Sequence, residues 1–300
     1  MKFKILICDR IADEGIRLME EKGYEVTKGW NLPKTELPKI VGEYDALIVR
    51  SATKVNADLI ANAKKLKVIG RVGEGLDNID LEKAREMNIA VVNTPHMSSK
   101  SVAELTIGHL LAIARNIVEG TVTLREGKWV KEDLFGVEVY GKTLGVIGCG
   151  SIGKEVEKLA SAIGMKILGV DVCIGRGSVP LEKMLPNADF ITIHVPLAPH
   201  TKHMLSTKEF NMMKNGVMLI DCSRGGVVDQ EALYQALMSG KVKATAVDVF
   251  EEEPPKNSKL LTLRNVYATP HVGAQTQEAQ LRASVEIAKK VIEALEQSAS

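Results

Sequence analysis

Short, mostly apolar runs alternate with longer stretches of helical periodicity along the whole chain. Runs at residues 4–8, 25–28, 46–50, 68–71 and 90–92 predict five strands. A second series at 143–147, 166–170, 190–194, 217–221, 244–248 and 266–268 predicts six more. Between many of them the spacing is helical, as over 12–22 and 57–63. Strands that are apolar on consecutive positions and separated by helices belong in parallel sheets covered on both faces. The pattern predicts an α/β chain with two doubly wound parallel-sheet units, one for each series.

Between the two series, Ser101-Val102-Ala103-Glu104 has the hydroxyl-to-carboxylate spacing of a capping box. It opens a helix predicted to run to about Val118, and Val102, Leu105, Ile107, Leu110, Leu111, Ile113, Ile117 and Val118 make that helix apolar nearly all round. Such a helix is buried, either between two domains or in the core of one. After the last strand, Leu281, Val285, Ala288, Ile292 and Leu295 repeat at helical spacing and predict a long amphipathic helix. No internal segment is rich in Gly, Pro or Ser, so the domains are expected to be joined by helices. The expected division is a discontinuous domain of residues 1–97 and 275–300, and a second of residues 98–274, with a cleft between them.

Composition narrows the function. Lys and Arg total 39 against 38 Asp and Glu, a net charge of +1, which gives no basis for a nucleic-acid or membrane partner. No apolar stretch approaches the ~20 residues of a membrane span, and the apolar run at 4–8 ends at Asp9-Arg10, a strand more than a signal peptide. Cys8, Cys149, Cys173 and Cys222 form no C-x-x-C pair, so packed, reduced thiols and a cytoplasmic location are expected. His200 and His203 have no third ligand nearby, and no metal site is expected.

The most specific local signal is Gly148-Cys149-Gly150-Ser151-Ile152-Gly153, which leaves one predicted strand and enters a helix marked by Val156, Leu159, Ala160 and Ile163. Gly148 permits the tight turn, Gly150 lets a pyrophosphate approach, and Gly153 lets helix and strand pack closely. The free N–H groups and the positive end of the helix dipole then meet the anion. The next strand ends at Asp171, near the ~20-residue offset of a carboxylate that accepts from the ribose hydroxyls and repels a 2′-phosphate. NAD is therefore favoured over NADP, although Arg176 lies five residues on.

Three further segments each follow an apolar run: Asp221-Cys222-Ser223-Arg224-Gly225-Gly226, Asp248-Val249-Phe250-Glu251-Glu252-Glu253-Pro254 and Thr269-Pro270-His271-Val272-Gly273-Ala274. Arg224, Glu253 and His271 would then gather at the carboxyl ends of parallel strands, where open α/β sheets bind ligands. One imidazole, one acid and one guanidinium beside a nicotinamide suit the oxidation of an alcohol. His271 would take the hydroxyl proton, Glu253 would orient the ring and favour its charged form, and Arg224 would clamp a substrate carboxylate.

These segments resemble the D-2-hydroxyacid dehydrogenase family over most of the chain. Leu47-Ile48-Val49-Arg50-Ser51-Ala52-Thr53-Lys54, Asn93-Thr94-Pro95, the segment from Ser101 and Gly273-Ala274-Gln275-Thr276-Gln277-Glu278-Ala279 are most similar to the branch that acts on 3-phosphoglycerate. The resemblance implies a Rossmann NAD-binding domain plus a flavodoxin-like substrate domain, and NAD-linked oxidation of D-3-phosphoglycerate, the first step of serine biosynthesis. It implies Arg224, Glu253 and His271 as catalytic residues. It implies cofactor contacts from Thr106, Ser151, Ile152, Asp171, His194, Pro196, Cys222, Ser223, Asp248 and Ala274 beside the glycines. Substrate contacts would come from Gly73, Gly75, Leu76 and Asn78 for the carboxylate, from Arg50, with Lys54 nearby, for the phosphate, and from Ser51. Glu74 departs from the family's small or neutral residue, and a carboxylate there repels an anionic substrate unless it turns outward. A homodimer is implied too, with residues 121–129 crossing to the neighbour and Arg125 and Lys128 adding charge near the partner's site.

The catalytic trio does not separate 3-phosphoglycerate from glyoxylate, hydroxypyruvate or another 2-keto acid, so a 2-ketoacid reductase is the nearest alternative. An NAD(H)-sensing regulator on the same fold is the alternative of another class. The catalytic fold uses nearly all 300 residues, so feedback by serine through a carboxyl-terminal regulatory domain is not expected.

Overall fold

The computed structural model describes residues 2–170 and 179–299. The chain divides into two compact units, Met1–Ser98 with Gln275–Ser300, and Ser99–Ala274. The first contains β1 (Lys4–Ile7), β2 (Glu25–Lys28), β3 (Ala46–Val49), β4 (Val68–Arg71) and β5 (Ala90–Asn93), all parallel, in the order β2-β1-β3-β4-β5. The second contains β6 (Thr143–Ile147), β7 (Lys166–Val170), β8 (Phe190–Ile193), β9 (Val217–Asp221), β10 (Val242–Val247) and β11 (Val266–Ala268). These too are parallel, in the order β11-β10-β9-β8-β6-β7. Each order reverses beside its first strand, between β1 and β3 and between β6 and β8, and loops diverge at the carboxyl ends of such a switch point.

Alternation along the strands builds a core on each face. In the first unit Ile5, Ile7, Ile48 and Val68 face the helices Asp13–Glu21 and Gln277–Gln297, through Ile16, Met19, Ile287, Val291 and Leu295. Leu6, Leu47, Val49 and Ile69 face the other way, onto Leu59, Ile60 and Ala84 of two shorter helices. In the second unit Leu144, Val146, Phe190 and Ile220 pack on the helices Ser99–Ala114 and Ser151–Ala162. Ile147, Ile193 and Leu219 pack on the helix Gln230–Met238 from the opposite face.

The helix expected over 101–118 differs at both ends. It starts at Ser99, so Ser101 lies inside its first turn, and the Ser101 hydroxyl donates to Gly273 O at 2.6 Å instead of capping. A capping box does form elsewhere, between Ser206 and Glu209. At the other end the helix stops at Ala114, and Asn116 adopts a left-handed φ of 52°. A second helix, Ile117–Arg125, then leaves at 65° to the first. The first of the pair packs in the core of the second unit. β10 begins two residues earlier than expected, with a register shift between Val242 and Ala244 that turns Lys243 out to solvent. No single helix among the described residues is long and apolar enough to cross a membrane.

Candidate active site

The glycine-rich turn joins β6 to the helix Ser151–Ala162 in the second unit. Gly148 has φ +95°, and a Cβ there would sit 2.5 Å from His194 O, while one at Gly153 would collide with Gly148 O. Glycine at both positions is what brings the turn, β8 and the helix together. Gly150 is the N-cap, faces open space, and brings no side-chain cap, and the first helical turn carries no acidic residue. Ser151 and Ile152 form that first turn, half-buried. Across the switch point, His194 Nε2 lies 2.9 Å from Thr192 Oγ1, whereas its Nδ1 is buried with no hydrogen-bond partner among the described residues. Burial pushes the His194 imidazole down to about 3, so the ring is neutral at ordinary pH. A helix N-terminus that begins on an open glycine, and a buried nitrogen with no partner among the described residues, together fit a bound dinucleotide. Pro196 is exposed just beyond, and Asp171, with Arg176 and Cys173, lies outside the described residues.

Three adjacent strands deliver the expected trio. Arg224 follows β9, Glu253 follows β10 and His271 follows β11. Gly225 lets the first two turns touch, since a Cβ there would overlap Phe250 O. His271 Nδ1 is 2.8 Å from Glu253 Oε2, and Glu253 Oε1 accepts from Phe250 N at 3.2 Å. Partial burial pushes the Glu253 carboxyl up, but its bond to His271 and the nearby Arg224 outweigh this and hold it below its ordinary value. An ionised Glu253 only accepts, so His271 Nδ1 carries a proton, and in the neutral ring the lone pair is left on Nε2. Arg224 is half-buried and one of its guanidinium nitrogens donates to Ser223 O at 2.8 Å.

The neighbouring residues are occupied with the protein itself. Thr106, expected beside the cofactor, is fully buried and donates to Val102 O at 2.8 Å. Cys222 is buried and its thiol pushed up, chiefly by burial. Ser223 donates from both N and Oγ to Asp221. The Asp248 carboxylate accepts from Thr269 Oγ1 at 2.6 Å and from Val272 N and Gly273 N at 2.8 Å each, so it organises the turn that carries His271. Ala274 ends that turn, half-buried.

In the first unit, Arg50 and Ser51 follow β3, and Gly73, Gly75, Leu76 and Asn78 follow β4. Arg50 N and Thr53 N donate to Asp9 Oδ2 at 2.7 and 3.1 Å, and Lys34 Nζ reaches Asp9 Oδ1 at 2.9 Å. Asn78 Nδ2 donates to Arg50 O and Thr53 O at 2.7 and 2.6 Å, which ties the two loops together. The Gly73 amide is taken by Thr94 Oγ1 at 2.7 Å. Glu74 is exposed, and its carboxylate accepts from His96 N at 3.4 Å. Asp9, Lys34, His109 and Thr269 were not singled out by sequence, and the only signal for Asp9 was its place at the end of a predicted strand.

Comparison with known proteins points to one family. A model of the NAD-binding domain of the D-isomer specific 2-hydroxyacid dehydrogenases matches residues 107–273. The chain is 48% identical to D-3-phosphoglycerate dehydrogenase of Methanocaldococcus jannaschii over 297 residues, which is 96% of this chain and 56% of that relative. It thus spans about half that protein's length. It is also 48% identical to hydroxypyruvate reductase of Thermotoga maritima over 303 residues, 98% of this chain and 99% of the relative. Among solved structures, the NAD+-bound 3-phosphoglycerate dehydrogenase of Entamoeba histolytica superposes with a TM-score of 0.83 at 28% identity, covering 98% of this chain and 95% of that one.

Proposed function

The chain belongs to the D-isomer specific 2-hydroxyacid dehydrogenase family, and from that premise we propose that it oxidises D-3-phosphoglycerate to 3-phosphohydroxypyruvate with NAD. The observation that carries the reading is the 2.8 Å pair of His271 with Glu253, beside Arg224 on the adjoining strand end. NAD+, when bound on the glycine-rich turn, supplies the acceptor for the hydride that leaves C2. His271 Nε2 takes the proton of the C2 hydroxyl and returns it in the reverse direction, help typically worth ~10²–10⁴ in rate. Glu253 fixes the ring and offsets the imidazolium charge as it forms. Arg224 holds the substrate carboxylate with its planar fork and polarises the C2 oxygen. The proposed cofactor contacts are Gly148, Gly150, Ser151, Ile152, Gly153, Asp171, His194, Pro196, Cys222, Ser223 and Ala274, with Thr106 and Asp248 supporting them from behind.

The preference for a phosphorylated acid rests on Arg50. It lines a cavity of about 440 Å³ in the first unit together with Arg10, Gln277 and Gln280, with Glu14 also at the wall. Two guanidinium groups at one cavity suit a phosphate dianion. Ser51, Gly75 and Leu76 would complete the substrate surface, with Gly73 and Asn78 shaping it. A second reading, hydroxypyruvate reduction, is favoured by equal identity to a hydroxypyruvate reductase that matches over nearly its full length.

An NAD(H)-coupled assay over phosphorylated and unphosphorylated 2-hydroxy and 2-keto acids, run on the parent and on Arg50→Ala, decides between them. The expected result is highest kcat/KM for 3-phosphoglycerate, with Arg50→Ala raising its KM about tenfold or more, the size of a lost charge-assisted hydrogen bond. Equal effects on both classes favour the reductase, and absence of NADH formation with every 2-hydroxy acid favours the NAD(H)-sensing regulator. The partner proposed is a second copy of the chain, docked on the helix Ile117–Arg125 and the segment after it. Ile117, Leu124 and Trp129 are exposed there, Trp129 at 82%.

A further inference from the structure

The turn that carries His271 is held from two directions. Asp248, at the end of β10, grips Thr269, Val272 and Gly273 through its carboxylate. The helix Ser99–Ala114 grips the same turn from the other side, with Ser101 Oγ donating to Gly273 O and His109 Nε2 lying 3.1 Å from Thr269 Oγ1. His109 is 7% exposed. The Thr269 hydroxyl has one hydrogen, which goes to Asp248 Oδ1. Its oxygen therefore accepts from His109, and the His109 ring carries its proton on Nε2. A directed relay results, from His109 N–H to the Thr269 hydroxyl to the Asp248 carboxylate, and the same carboxylate receives the N–H groups of Val272 and Gly273. Burial holds the His109 imidazole below its ordinary value against the pull of Asp248, so the donor is neutral.

This relay has something to hold. His271 has φ +52°, a left-handed conformation uncommon for any residue but glycine, though histidine is among those that tolerate it. We propose that His109 is a positioning residue: through Thr269 and Asp248 it fixes the turn that aims His271. The inference rests on the reading of His271 as the acid–base group. It gives this core histidine a role in the reaction without contact with the reacting atoms. It also gives a partner to the one imidazole among the buried positions of that helix.

The test uses the full chain with His109→Leu, His109→Gln and Thr269→Val. Glutamine carries an N–H at the reach of the imidazole Nε2, and valine keeps the threonine shape without the hydroxyl. Amide hydrogen exchange over residues 269–273 is measured without substrate, and kcat and the KM for NAD are measured at saturation. Loss of one buried hydrogen bond corresponds to about three- to tenfold in an equilibrium or rate. His109→Leu and Thr269→Val should each speed exchange by about that factor and lower kcat similarly, leaving the KM for NAD within about twofold. His109→Gln should restore both readouts. If glutamine is as impaired as leucine, or if exchange over 269–273 is unchanged in both disruptive variants, the relay does not position the turn. Should His109→Leu fail to fold, the contrast between Thr269→Val and His109→Gln still decides. His271→Asn separates the two claims: retention of parental kcat would remove the acid–base reading, while the exchange results would still report on the relay.

Discussion

Asp221 is 4% exposed at the end of β9 and accepts from Ser223 N and Oγ at 3.0 and 2.5 Å. Burial is the largest influence and lifts its carboxyl to about 6, with the Asp248 charge adding to the effect and Ser223 and Arg224 opposing it. In the unfolded chain the value is about 3.9. A raised carboxyl binds its proton more tightly when folded, so the penalty is absent below about 4, grows up to about 6 and is complete above that. Asp221→Asn should therefore raise the unfolding midpoint at about pH 8 by more than at about pH 4.5, in urea titrations of the cofactor-free protein. An equal gain at both would contradict the assignment. Asp9 is buried as well, yet three neighbours donating to it outweigh burial and hold it low. The difference lies in depth of burial, in donors and in neighbouring charge, Asp248 beside one acid and Lys34 beside the other, and cannot be seen in a sequence where both are acids closing an apolar run. The place of Arg224, Glu253 and His271 after adjoining strands was legible because each follows such a run. His109 was not, because its partner Thr269 is 160 residues away.

The strands were legible nearly to the residue, because an apolar run between turn residues is a local signal. The long apolar helix was not, because its periodicity continues through Ile117 and Val118 while the backbone turns at Asn116. Asparagine tolerates the left-handed region, and a β-branched residue there costs about 1–2 kcal/mol. Asn116→Val should lower unfolding free energy by about that amount, and Asn116→Gly should not. If the two variants unfold alike, the break is set by packing and not by Asn116. The apparent capping box failed for a related reason. Ser101 has a better acceptor in Gly273 O, supplied by a loop 172 residues away.

The chain returns at its end to the unit it began. The helix Gln277–Gln297 places Ile287, Ala288, Val291 and Leu295 against the sheet laid down by residues 4–93. For the assembly, Trp129→Glu with Leu124→Glu should raise the dimer dissociation constant at least about tenfold, since each buried apolar side chain is worth about 1.5–3 kcal/mol. Sedimentation equilibrium measures this, and a parent chain that sediments as a monomer removes the proposal of a dimer. Apolar alternation and glycine spacing are properties of neighbouring residues, and they suffice for two doubly wound parallel sheets and the NAD-binding turn. The aim of His271 is another matter. It depends on bonds from Asp248, from Ser101 and, through Thr269, from His109. Those groups meet only after a helix has packed on β9 and β10, and no local pattern records that register.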